Sequence, residues 1–156
     1  MFLTVHSAVG MIIGSQITNV WLAYFLGFCS HFVLDFIPHA EKQPKLIQGL
    51  IKFKPFMLTM GLIDGLAMTL VIATIYCQGH LHTNQWPSLI AMIGSVTPDF
   101  IAGLAMVTNN RWLLKFQDIH DKNQFLTHKS QLTLFIGIPA QIMLALFLWT
   151  IFLKLQ

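Results

Sequence analysis

The densest ligand chemistry in the sequence lies in nine residues, His31 to His39, which read H-x-x-x-D-x-x-x-H. His31 and Asp35 are four apart, so on a helix both project from one face. Pro38 disfavours helix at Ile37 and puts His39 just past the helix end. Imidazoles with a carboxylate suit a divalent metal, Zn²⁺ first, with Mn²⁺ or Fe²⁺ as alternatives. For the pair alone, an intrahelical His–Asp hydrogen bond explains the spacing equally well. What favours a metal is the company the pair keeps: His6, Asp64, Asp99 and His128 also stand in or beside apolar stretches.

Those stretches fall at about 2–17, 20–37, 55–76, 87–107 and 131–153. The chain has 156 residues, 55% of them hydrophobic, with nine Lys and Arg against six Asp and Glu. So few charges cannot coat a water-facing surface. The composition excludes a disordered chain, a basic nucleic-acid-binding domain and an ordinary cytosolic enzyme. The expected fold is all-α: a polytopic helical bundle in a membrane, one domain over 1–156, with four to five spans. A helix needs about 20 residues to cross a bilayer. The last three stretches meet that; the first two are short and either span thinly or form a re-entrant hairpin.

Lys42, Lys45, Lys52 and Lys54 lie between the second and third stretches, and Arg111, Lys115, Lys122 and Lys129 between the fourth and fifth. Only Lys154 falls on the other side, so the positive-inside rule puts both basic connections in the cytoplasm. Within them, KLIQGLIKF and NRWLLKFQDI read as amphipathic segments lying on the bilayer. The expected location is the inner membrane, with lipid as partner and no nucleic acid. The N-terminus shows no charged leader, and Cys29 and Cys77 read as buried free thiols.

On that topology His6, His31, Asp35, His39, Asp64, Asp99 and His128 share the cytoplasmic leaflet. A buried charge there is costly and marks a site. The expected metal ligands are His6, His31, Asp35, His39, Asp99 and His128. The expected catalytic carboxylates are Asp64 and Asp99, with Asp64 as proton acceptor. Gly61 and Gly65 flank Asp64 at helix-packing spacing, which would bring it near a neighbouring helix. Gly10 and Gly14 repeat that spacing and read as packing alone. The His120–Asp121 pair reads as a solvated loop pair, with a supporting role behind the ligands as the alternative.

HSAVGMIIG, SHFVLDFIPH, GSVTPDF and FLTHKSQ together resemble the membrane-bound metal-dependent hydrolases, small proteins of the bacterial inner membrane. The resemblance runs from His6 to Ser130. It implies a divalent metal held by histidines and aspartates near one membrane face, and it carries over His6, Asp99 and His128. That family has a further histidine upstream of the Thr-His pair; here the position is Asn123, and His120 is the substitute at hand. A shorter likeness joins His31, Asp35, Pro38 and His39 to the zinc-dependent phospholipase C signature. There the proline comes one residue early and the last histidine two early. It implies phosphodiester or phospholipid chemistry. The expected function is therefore a membrane-embedded metal-dependent hydrolase acting on a lipid or phosphoester. Metal-ion or proton transport and a non-catalytic membrane scaffold are the alternatives.

Overall fold

A computed structural model describes residues 1–37, 53–77, 86–125 and 134–155. These form six helices and, among the described residues, no strand: α1 (Leu3–Ser15), α2 (Val20–Asp35), α3 (Phe53–Cys77), α4 (Trp86–Thr108), α5 (Arg111–Phe125) and α6 (Leu134–Lys154). Segments Leu58–Cys77, Trp86–Thr108 and Ile136–Lys154 are long and apolar enough to cross a membrane. At 13 and 16 residues, α1 and α2 are not. A rise of 1.5 Å per residue makes them about 20 and 24 Å long, short of a bilayer core of about 30 Å.

α1 and α2 form a hairpin. α1 ends where Gln16 N–H and Ile17 N–H bond back to the Ile13 and Gly14 carbonyls. Asn19 starts α2 by accepting from the backbone N–H groups of Trp21 and Leu22, at 3.0 and 3.2 Å. These would otherwise be orphaned first-turn donors. The hairpin lies on α4, antiparallel to it along α1 and parallel along α2. Small residues set that closeness. A side chain at Gly14 would strike the Pro87 carbonyl, one at Gly27 the Ala91 carbonyl, and one at Gly94 the Tyr24 carbonyl. The expectation for Gly10 and Gly14 holds, since a side chain at Gly10 would lie 2.6 Å from Ser95 Oγ. Gly61 and Gly65 do not pack in this way: Gly61 has open space around it, and Gly65 meets only Leu3 Cδ1 at 3.8 Å.

α3 and α6 lean on the far side of α1. Val5, Ala8 and Met11 of α1 pack with Ile75 of α3 and with Ala145, Trp149 and Phe152 of α6 to form the apolar core. Much of the remaining surface of α3 and α6 is outward-facing Leu, Ile, Met and Phe. That is unsuited to water and suited to lipid. Of the two free thiols Cys29 is half-buried, whereas Cys77, expected inside, is exposed at the end of α3.

The start of α1 is held by polar groups from the long helices. Its own N-cap, Phe2, has no side chain that can accept a hydrogen bond. Asp64 of α3 instead accepts from the backbone N–H groups of Leu3 and Thr4 and from the Thr4 hydroxyl. Gln141 of α6, itself buried, accepts from Phe2 N–H at 2.8 Å. In an apolar medium an unsatisfied backbone donor costs several kcal/mol by rough estimate. These two side chains therefore fix where α1 begins, and with it His6 one turn further on.

Candidate metal centre

The open end of the hairpin brings together residues far apart in sequence. His6 comes from the second turn of α1, and His31 and Asp35 from the last turns of α2. Asp99 lies one turn beyond the α4 segment that α2 packs on. His120 comes from α5. His6, His31 and Asp35 are fully buried, His120 nearly so, and the Asp99 side chain is 22% exposed.

The distances describe one cluster. Asp35 Oδ1 lies 3.3 Å from His6 Nε2, and Asp35 Oδ2 lies 3.3 Å from His31 Nε2 and 3.5 Å from His120 Nε2. Asp99 Oδ1 lies 3.8 Å from His31 Nε2 and 3.5 Å from His120 Nε2, with Oδ2 3.9 Å from His6 Nε2. The His31 and His120 Nε2 atoms are 2.9 Å apart. The His6 and His31 rings stack with centroids 4.1 Å apart. Two donors bound to one ion at about 2.0–2.2 Å lie about 3.0 Å apart at an octahedral edge and about 3.4 Å at a tetrahedral one. The observed separations bracket those values.

The hydrogen bonds aim the rings. His31 Nδ1 lies 2.9 Å from the Ser95 carbonyl oxygen, which can only accept. Nδ1 therefore carries a hydrogen, which leaves Nε2 as the nitrogen that faces the cluster and could serve as a metal ligand. On the other side of the cluster Asp121 Oδ1 lies 3.6 Å from His120 Nδ1. Burial alone would make His120 less basic. The Asp121 carboxylate beside it and the negative charges of Asp99 and Asp35 outweigh that and hold its pKa above the usual 6.5.

Several buried atoms here lack a hydrogen-bond partner among the described residues: both ring nitrogens of His6, Asp99 Oδ2 and His120 Nδ1. His6 Nε2 is close to Asp35 but in no hydrogen-bonding alignment with it. Buried polar atoms left without partners are rare and call for a reason. A cation among the three Nε2 atoms and two carboxylates supplies one for His6 Nε2 and Asp99 Oδ2. Two overlapping ligand sets could each hold an ion, His6–His31–Asp99 and His31–Asp35–His120. Imidazole and carboxylate donors fit Zn²⁺, Mn²⁺ or Fe²⁺ and do not single one out.

Of the residues singled out from sequence, His6, His31, Asp35 and Asp99 converge. His39 and His128 lie outside the described residues. Asp64 belongs to neither ligand set, and its carboxylate is engaged by the first turn of α1. His120, expected in a solvated loop, is buried on a helix and completes the second set. The signal that finds it is periodicity. Leu113, Phe116, Gln117 and His120 stand at i, i+3, i+4 and i+7 and form the inward face of α5.

Comparison with protein-family models, with curated proteins and with solved structures finds no match to the chain.

Proposed function

We propose that the chain is a membrane-embedded, divalent-metal-dependent hydrolase. It works at one face of the inner membrane, on an ester or phosphoester of a lipid-like molecule. The observation that carries this is the convergence of three histidines and two aspartates from four helices at one end of the hairpin. Eight basic residues in the two connections orient that end toward the cytoplasm. In this reading α3, α4 and α6 span the bilayer, and the α1–α2 hairpin enters it from the cytoplasmic side without crossing.

A divalent ion held there would acidify a bound water and polarise the scissile bond. The protein's own contribution is positional. His31 is fixed in one tautomer by the Ser95 carbonyl, and His6 is set by the Asp64 and Gln141 clamp on α1. Asp99, the most exposed member of the cluster, is the carboxylate placed to take a proton from the attacking water. The site stands where α1 begins and α2 ends, beside Asp99 on α4. Further along, their backbones touch at Gly10, Gly14, Gly27 and Gly94, which closes the groove between them. Close approach along that length suits turnover of a membrane-borne substrate at one end, whereas transport needs a path through.

The test is hydrolysis of a panel of phospholipids and amphiphilic esters by protein reconstituted with Zn²⁺ or Mn²⁺. Turnover that is lost with chelator and in Asp99→Asn supports the reading. A metal-loaded protein that cleaves none of them, but passes the ion across vesicles, contradicts it.

A further inference from the structure

α5 differs from the other helices in carrying half of the charged residues in the described ranges, and it brings His120 to the cluster from outside the apolar bundle. α4 ends at Asn109, whose φ of 51° is the left-handed conformation that asparagine tolerates. Asn110 then opens α5 by accepting from Trp112 N–H at 2.9 Å. α5 packs on α4, with a smaller contact to α2.

Its outward surface is segregated. On a wheel of about 100° per residue, Trp112 and Ile119 lie at one edge of the outward surface, Lys115, Lys122 and Arg111 follow in that order, and Asp118 and Asp121 continue beyond Arg111. Trp112 is 77% exposed and Ile119 64%. The Lys115 ammonium sits 5.0 Å from the centre of the Trp112 ring. An exposed indole and isoleucine with the cations Lys115 and Lys122 next to them, the nearest acid lying beyond those cations, match the boundary between acyl chains and anionic headgroups. On α4, which α5 packs against, Leu104 and Val107 are exposed as well.

We propose that this surface of α5 docks on anionic phospholipid headgroups, and that docking seats His120 in the ligand cluster. The inference rests on the metal-binding reading of the site and adds a control over it. Anionic lipid would load the centre, and loss of lipid contact would release one of its imidazoles.

The test uses the full chain in phosphatidylcholine vesicles with and without phosphatidylglycerol. One readout is Mn²⁺ affinity. The other, made on metal-free protein, is modification of His120 by diethylpyrocarbonate, followed by mass spectrometry. Anionic lipid should tighten Mn²⁺ binding on the order of tenfold beyond its effect on Lys115→Gln/Lys122→Gln, a variant of exposed residues that touch no ligand. It should also protect His120 in wild type but not in the variant, and high salt should erase both effects. Equal gains for wild type and variant, with equal His120 modification in both lipids, overturn the proposal even if Mn²⁺ binds. Protection of His120 without Mn²⁺ binding in any lipid would uphold the docking and overturn the metal centre, and with it the loading role proposed here.

Discussion

His31 Nε2 and His120 Nε2 face each other across 2.9 Å, although 89 residues separate them in the chain. With His31 Nδ1 holding the ring proton against the Ser95 carbonyl, the His31 Nε2 lone pair points at His120. Two such nitrogens repel unless a proton or a cation lies between them. The neighbouring Asp35 and Asp99 oxygens make a cation the better fit.

His120→Ala should therefore weaken metal binding strongly while leaving the bundle folded, since His120 sits on the helix outside the apolar core. Asp121→Asn, acting only through the His120 ring, should cost about tenfold, the low end of what partners behind a ligand contribute. Titration of Zn²⁺ against a competing chelator measures both. Wild-type affinity in His120→Ala would remove that residue from the centre.

Proton competition gives the pH dependence. The raised pKa of His120 means the metal-free site holds a proton above pH 6.5. Metal must displace it, so affinity should fall about tenfold per pH unit below that pKa and level off above it. Stability moves the other way without metal. A folded-state pKa above the unfolded one stabilises fully at low pH and ceases to do so as pH rises through the folded value. As pH rises above 6.5 the Tm of chelator-treated protein should fall, while that of metal-loaded protein should rise or hold. Parallel curves for the two forms would contradict this.

Asp64 separates two roles. As the carboxylate that receives the first turn of α1, its replacement by Ala leaves buried donors unpaired and should destabilise by about 1–3 kcal/mol. Asp64→Asn, which can still accept, should recover much of that and keep turnover within a few-fold. Were Asp64 the proton acceptor, Asn would instead cost on the order of 10²–10⁴ in rate with little change in Tm.

The glycines offer an internal contrast. Gly27→Ala drives a methyl into the Ala91 carbonyl and should cost about 1–3 kcal/mol and loosen α2 from α4, lowering metal retention. Gly61→Ala meets open space and should be neutral or slightly stabilising. Thermal unfolding of the two variants in one detergent decides it; equal losses would contradict the close approach.

The residues that sequence reveals best are those whose type conflicts with their surroundings. His31, Asp35 and Asp99 stand out because an ionisable group in an apolar helix is costly wherever that helix packs. His6 follows from the same conflict. His120 does not, since α5 is polar enough for a histidine to pass as solvated; only its place on the inward face of the helical period marks it. Asp64 stood out for the same reason as Asp99 and yet does something else. Its partners are backbone N–H groups of α1, and no feature of residue type or spacing reveals a cap supplied by another helix. Likewise the Gly61–Gly65 and Gly10–Gly14 spacings are identical in sequence, and only the second lets a neighbouring backbone approach closely.

The central claim is that the five side chains hold a metal ion. Elemental analysis of protein purified in detergent, wild type against His31→Ala, tests it most directly. The convergence of His6, His31, Asp35, Asp99 and His120 predicts at least about one divalent transition-metal ion per wild-type chain and near loss of it in the variant. A folded wild type that carries no such ion and takes none up, or a variant that retains it fully, would contradict the claim.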